Sequence, residues 1–232
     1  MKPQVRRITP LLYEFMWDAD ISDNLLKQQL GFKELIEHEF NNWVEELRLG
    51  YKTLAMVLSK PLEAAVINRW VMSIREEGFC GKLPERIWSI PVCYSPSTGR
   101  DLDTLALHKN ISREELIFMH SQMLYRIHFF GFLPGFMYLN GLNENLNTPR
   151  KSVPDRVVPA GSVAIGGAQT GIYPTSSPGG WHLIGQTPLS IFDPAKKIPV
   201  LASIGERVKF IPISEREFER MEMQPKILGF IA

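Results

Sequence analysis

Apolar residues follow one rhythm before Cys93 and another after it. Up to that point strand and helix periods take turns. Leu11-Leu12-Tyr13-Glu14-Phe15 is a short apolar run of strand type. Ser22 or Asp23 can cap a helix whose face starts with Leu25, Leu26, Gln29 and Leu30 and continues through Leu35 and Ile36, with Gly31 as the place where it can break. Two strands, Trp43 to Leu49 and Thr53 to Leu58, flank a turn at Gly50. Pro61 suits the first turn of a second helix, marked by Ala64, Ala65, Ile67, Val71 and Ile74 and stopped by Gly78. Arg86 to Val92 adds a last strand. The order βαββαβ is that of a small split-βαβ, ferredoxin-like sandwich.

Beyond Cys93 the pattern shortens. Ser112-Arg113-Glu114-Glu115 has the form of a capping box, with Glu115 reaching back, and Leu116, Met119, His120 and Met123 then share a helix face. From Ile127 to Pro194, short apolar runs are cut by Gly and Pro, as in a closed β-barrel with tight corners. A strand from Val208 to Pro212 and a short helix from Ser214 to Met221 follow. The predicted fold class is α+β: an N-terminal ferredoxin-like α/β domain over 1–93, then a β-barrel domain over 94–232. Tyr94 to Gly99 reads as an exposed connector between them.

Composition narrows the function. Twenty-six basic residues stand against 25 acidic ones, for a net charge of +1, so no excess is left for a polyanion and nucleic acid is not an expected partner. The most apolar stretch, Ile127 to Leu139, is too short to span a bilayer and carries His128, Gly131, Pro134 and Gly135. No apolar signal core follows Met1 to Arg7, and the expected compartment is cytoplasmic. Cys80 and Cys93 have neither metal-type spacing nor the number for a disulfide framework. No His-Glu-x-x-His, Cys-x-x-Cys or acidic cluster calls for a metal.

The informative stretch runs from Gly131 to Asp193. It holds Gly131-Phe132-Leu133-Pro134-Gly135-Phe136, Thr148-Pro149-Arg150, Pro159-Ala160-Gly161-Ser162 and Gln169-Thr170-Gly171-Ile172-Tyr173-Pro174. It ends with Ser177-Pro178-Gly179-Gly180-Trp181-His182 and Gly185-Gln186-Thr187-Pro188. Glycines beside small polar residues can present backbone N–H groups and hydroxyls to a carboxylate, amide or phosphate oxygen. The same glycines can also simply turn barrel corners.

These strings resemble the KipI family, which includes the B subunits of 5-oxoprolinase (PxpB) and the first subunits of allophanate hydrolase. The resemblance is dense from about residue 116 to 194. It implies a small α/β domain followed by a cyclophilin-like barrel. It also implies membership of a cytoplasmic, ATP-dependent 5-oxoprolinase complex that opens the lactam to glutamate. The implied partners are a homologous, KipA-like C subunit, and an A subunit of the lactam-utilisation type. An unstrained lactam is a poor electrophile, and phosphorylating its carbonyl oxygen creates a leaving group before water attacks. The alternative implied role is that of KipI itself, inhibition of a sensor histidine kinase. Prolyl isomerisation would follow from the barrel alone, and fold does not fix function.

The loop chemistry, given weight by the resemblance, marks Arg150, Gly161, Ser162, Gln169, Thr170, Tyr173, Ser177, Gly179 and Gly180 as expected substrate-binding positions, and His120, which matches a histidine of the family, as a candidate for proton transfer. His120 can equally be a hydrogen-bonded helix residue. Arg150 can grip a carboxylate or form a surface ion pair. Tyr173 and Trp181 can line a pocket or fill the barrel. Without a Gly-x-x-x-x-Gly-Lys loop, ATP is expected on another chain of the complex. Three departures stand out: Asp155 and Gln186 occupy positions where relatives usually carry Arg, and Thr9-Pro10 replaces a Gly-Asp.

Overall fold

The computed structural model describes residues 1–75, 80–200, 202–223 and 229–231. The expected helix stop at Gly78 lies outside them. The chain divides into two compact units, Met1–Leu83 and Pro84–Ala232.

The first unit contains β1 (Gln4–Thr9), β2 (Leu12–Met16), α1 (Asp23–Glu39), β3 (Val44–Leu49), β4 (Thr53–Leu58) and α2 (Ala64–Ser73). Ser22 caps α1 by accepting the Leu25 N–H at 3.2 Å. The helix runs unbroken through Gly31, so the expected break there is not made. The sheet order is β1-β2-β4-β3, antiparallel throughout. Alternation sends Tyr13, Phe15, Leu54, Met56 and Leu58 into the core. There Phe32 meets Phe15, Trp17 and Trp70 with ring centroids 5.0–5.5 Å apart.

The ferredoxin-like expectation is corrected at its last strand. The place beside β2 is taken by β1 and not by residues 86–92. Most of β1 is exposed, so no apolar alternation announces it. The expected boundary at 93 therefore falls late, because the strand before it belongs to the second unit.

That unit begins with β5 (Ile87–Cys93), α3 (Leu102–His108) and α4 (Arg113–Gln122). It continues with β6 (Tyr125–Phe130), β7 (Met137–Asn140), β8 (Asp155–Val158), β9 (Ser162–Gly166) and β10 (Gln169–Ile172). Last come β11 (Ser177–Gly179), β12 (His182–Gln186), β13 (Arg207–Ile213), α5 (Glu215–Glu222) and β14 (Gly229–Ile231). Seven of the described strands close a barrel in the order β12-β9-β10-β7-β6-β13-β5, and Gln186 pairs with Cys93 to complete the ring. β5 and β13 run parallel over seven register pairs, and β14 is added to β5. Pairing of this length explains why residues 86–92 leave the first sheet. β8 and β11 form a separate two-stranded ribbon.

Inward positions such as Ile90, Ile127, Leu139, Val163, Ile172 and Phe210 fill the barrel, and Leu105 and Leu116 from α3 and α4 join them. Ser112 caps α4 through the Glu115 N–H at 3.0 Å, while the complete reciprocal box forms at Ser214 and Glu217 on α5. The expected connector is stitched in place. Thr98 Oγ1 donates to Cys93 O at 2.7 Å, Gly99 N–H to Ser95 O at 2.7 Å, and Asp101 N–H to Leu183 O at 2.9 Å. No helix among the described residues is long and apolar enough to cross a membrane.

Candidate functional site

The most developed cavity, about 320 Å³, lies on the outer face of the barrel. Its wall comes from strand alternation. On β7, Met137 and Leu139 point inward, which turns Tyr138 outward beside Phe136. On β9, Val163 and Ile165 point inward, which leaves Ala164 and Gly166 outside. Trp181 lies over Gly166, where any Cβ would meet the indole. Phe136 packs edge-on against Tyr173 at 5.1 Å and Trp181 at 5.5 Å. Gly179 runs so close beneath the Tyr173 hydroxyl that a Cβ would collide with it. Phe132 and Pro154 form part of the rim.

The polar side of the cavity is carried by Arg150 and Lys151, on a loop pinned from both ends. Thr148 N–H donates to Gly167 O at 2.9 Å, His182 Nε2 to Pro149 O at 3.0 Å, and Lys151 N–H to Gly180 O at 2.8 Å. Lys151 Nζ is neutralised by Asp101 at 2.6 Å and Asp155 at 2.7 Å. Asp155 also holds Arg100 at 2.9 Å, so the carboxylate at this departure organises two cations. Arg150 is different. Its guanidinium lies over the Trp181 ring at 5.7 Å and has no carboxylate partner among the described residues. Burial raises the pKa of the Tyr138 phenol, opposed by Arg150, and raises that of Tyr173, opposed by a hydrogen bond from the Trp181 backbone and by Arg150. Both phenols stay neutral at physiological pH, and neither hydroxyl has an acceptor among the described residues.

The positions expected to bind substrate separate into groups. Arg150, Tyr173, Gly179 and Gly180 line the cavity together. Ser177 sits beside it on β11, its hydroxyl donating to Pro178 O at 3.1 Å. Gln169 lies on the outer face, two residues before Gly171 on β10 and paired with Gly166 of β9, and its buried amide nitrogen has no hydrogen-bond partner in the structure. Gly161 turns a corner at φ +79°, where a Cβ would strike Thr187 O, and Ser162 follows it as a buried strand residue.

Thr170 and His120 lie inside the barrel, away from the cavity. Thr170 Oγ1 donates to Ala164 O at 2.9 Å, so it must accept from His120 Nε2 at 2.9 Å. The remaining nitrogen, Nδ1, then accepts from the Tyr94 hydroxyl at 2.8 Å. His120 is fully buried and stacked on Phe210, and burial lowers its pKa to about 3. It is a neutral, fully partnered core residue, set apart from the cavity. Its place on an apolar helix face is the sequence signal for this.

Phe132, Phe136, Tyr138 and Lys151 line the cavity without having been expected there, and Trp181, left open between pocket and core, joins them. The repeated aromatics of Gly131–Tyr138 are visible in the sequence, but their outward direction depends on register. Among the described residues no cluster of three or more His, Cys, Asp or Glu side chains could hold a metal.

Comparison with known proteins fits this architecture. Residues 6–202 match the model for the carboxyltransferase domain, subdomain C and D. The 5-oxoprolinase B subunit of Haemophilus influenzae is 47% identical over 173 residues, 72% of this chain and 79% of that one. Its counterpart from Escherichia coli O157:H7 is 42% identical over 171 residues, 72% of this chain and 77% of that one. The K. lactis urea amidolyase structure superposes with a TM-score of 0.79 at 17% identity, over 99% of this chain and 16% of that one, a likeness of fold. The chain thus belongs to the carboxyltransferase subdomain C and D family, in the branch that contains the 5-oxoprolinase B subunits.

Proposed function

We propose that this chain is the B subunit of an ATP-dependent 5-oxoprolinase, and that the outer cavity holds the substrate. The observation that carries the proposal is Arg150, a pinned cation over Trp181 with no carboxylate of its own among the described residues. A ligand carboxylate can take that place in a bidentate pair. The apolar methylene edge of the 5-oxoproline ring then lies against Phe136, Tyr173 and Trp181. The hydroxyls of Tyr138 and Tyr173, neutral at working pH and without an acceptor among the described residues, can donate to the lactam carbonyl as charge develops on it. Gln169 adds an unspent amide donor on the same outer face.

The cavity does not fit ATP. One uncommitted guanidinium faces a triphosphate, since Lys151 already serves two carboxylates. Nucleotide chemistry belongs to a partner, either the lactam-utilisation A subunit or the KipA-like C subunit, within a cytoplasmic complex. The kinase-inhibitor alternative draws on the exposed Phe132 and on Val153, next in the chain to the rim residue Pro154, as apolar contacts for a protein.

The test is co-expression with both partner subunits, followed by an assay of 5-oxoproline-dependent phosphate release. The complex should turn over and the isolated chain should not. Failure of the chain to co-purify with either partner would count against the proposal.

A further inference from the structure

Phe132 adopts an unfavourable backbone conformation and exposes an aromatic ring, and it does both at the mouth of the cavity. Its φ is +65°, in the left-handed region that bulky L-residues avoid. The Leu133 N–H donates to Gly131 O at 2.7 Å, closing a three-residue turn around it, and the positive φ makes this the rare, strained hand of the γ-turn. The residue is 61% exposed, yet its ring stands edge-on to Phe136 at 5.7 Å and Tyr173 at 6.3 Å. The loop is anchored on both sides, by Phe136 N–H to Leu133 O at 3.0 Å and Gly131 N–H to Phe136 O at 3.3 Å. Glycine would adopt this φ without strain, so the turn itself does not call for phenylalanine. Strain of this kind persists where the surroundings over-determine it, and it collects at ligand clamps.

We propose that Phe132 is a binding and specificity residue: its ring packs over the apolar methylene edge of a small cyclic carboxylate whose anion lies on Arg150. The inference rests on the functional reading above and adds the basis of selection. The cyclic substrate brings one charge and a neutral ring with an apolar methylene edge. The opened product brings an ammonium and a second carboxylate, which an aromatic wall cannot hydrogen-bond. The ammonium is further opposed by Arg150, which already occupies a face of Trp181. Phe132 therefore favours the ring-closed form over the ring-opened one.

Calorimetric titration of 5-oxoproline and of glutamate into the reconstituted complex, without ATP so that nothing turns over, tests this. The variants are Phe132→Gly, Phe132→Tyr and Arg150→Ala, each also melted as the isolated chain. Phe132→Gly should lose roughly tenfold or more in 5-oxoproline affinity. It should also narrow the preference over glutamate and melt at the same or a higher temperature, because strain is relieved. Phe132→Tyr should retain affinity. Normal affinity in Phe132→Gly with a lower melting temperature would make the ring simple packing and overturn the inference. Normal affinity there with weakened binding in Arg150→Ala overturns the inference alone. Absence of 5-oxoproline binding by the wild type overturns the functional reading and this inference with it.

Discussion

The two faces of the barrel wall treat polar side chains in opposite ways. Inside, Tyr94, His120 and Thr170 form a closed chain of hydrogen bonds that ends on the Ala164 carbonyl, with every donor and acceptor of the imidazole used. Outside, among the described residues, Arg150 has no carboxylate, the hydroxyls of Tyr138 and Tyr173 have no acceptor, and the Gln169 amide nitrogen is buried without a partner. A buried polar group left unpaired costs free energy, so a satisfied network marks structure and an unsatisfied one marks a place for something else. Residue type alone would rank them the other way, with a histidine ahead of a glutamine.

Opposite outcomes are expected for the two sets of residues. Arg150→Ala should show the largest effect, a loss of about a hundredfold in turnover by the reconstituted complex, with melting almost unchanged. A parallel drop in melting temperature would make Arg150 a structural residue. His120→Ala should do the reverse. It leaves the Tyr94 hydroxyl without its acceptor and Thr170 Oγ1 without one of its two partners in the core, and should cost on the order of 2–4 kcal/mol by denaturant titration, with turnover per folded complex preserved.

The same histidine makes stability depend on pH. Burial lowers its pKa from 6.5 to about 3, so the unfolded chain binds this proton more readily than the folded chain. The contribution is complete above pH 6.5 and is lost as pH falls toward 3, with a slope of up to about 1.4 kcal/mol per pH unit. Urea titrations of the wild type and His120→Ala across that window should show a shallower acid limb in the variant. Equal slopes would mean that His120 is solvated in the folded state.

The smallest effect concerns the boundary. Limited proteolysis should leave residues 94–101 uncut, because the Thr98 hydroxyl ties them to β5 and the backbone and carboxylate of Asp101 tie them to β12. Early cleavage there would restore the connector read from the sequence.

That connector illustrates what is legible in a sequence and what is not. Tyr94-Ser95-Pro96-Ser97-Thr98-Gly99 has loop composition, and composition does not report that Ser95 is buried or that Asp101 Oδ2 accepts the Leu183 N–H at 2.7 Å. Residues 86–92 are recognisable as a strand, since Trp88, Ile90 and Val92 alternate into a core. Which core they enter is not recognisable, because period-two alternation is the same in any half-buried sheet. Of the site, Arg150, Tyr173, Gly179 and Gly180 are reached through loop chemistry and family resemblance together, and the structure brings them to one cavity. Phe132 cannot be singled out, since a positive φ on a phenylalanine leaves no trace in its identity.

Local patterns by themselves determined the helices of the first unit, a cap at Ser22 or Asp23 and the run of short strands after Ile127, because propensity, capping and alternation act over a few residues. The motif strings between Gly131 and Asp193 determined the family. Tertiary structure decided where each strand paired, and so which side of the barrel wall every alternate residue faced. A shift of one residue in register would exchange the two faces. It therefore also decided that His120 and Thr170 are spent within the core while Arg150 remains available. Compensation of a charge or a hydrogen-bonding group is a property of neighbours brought together from distant parts of the chain.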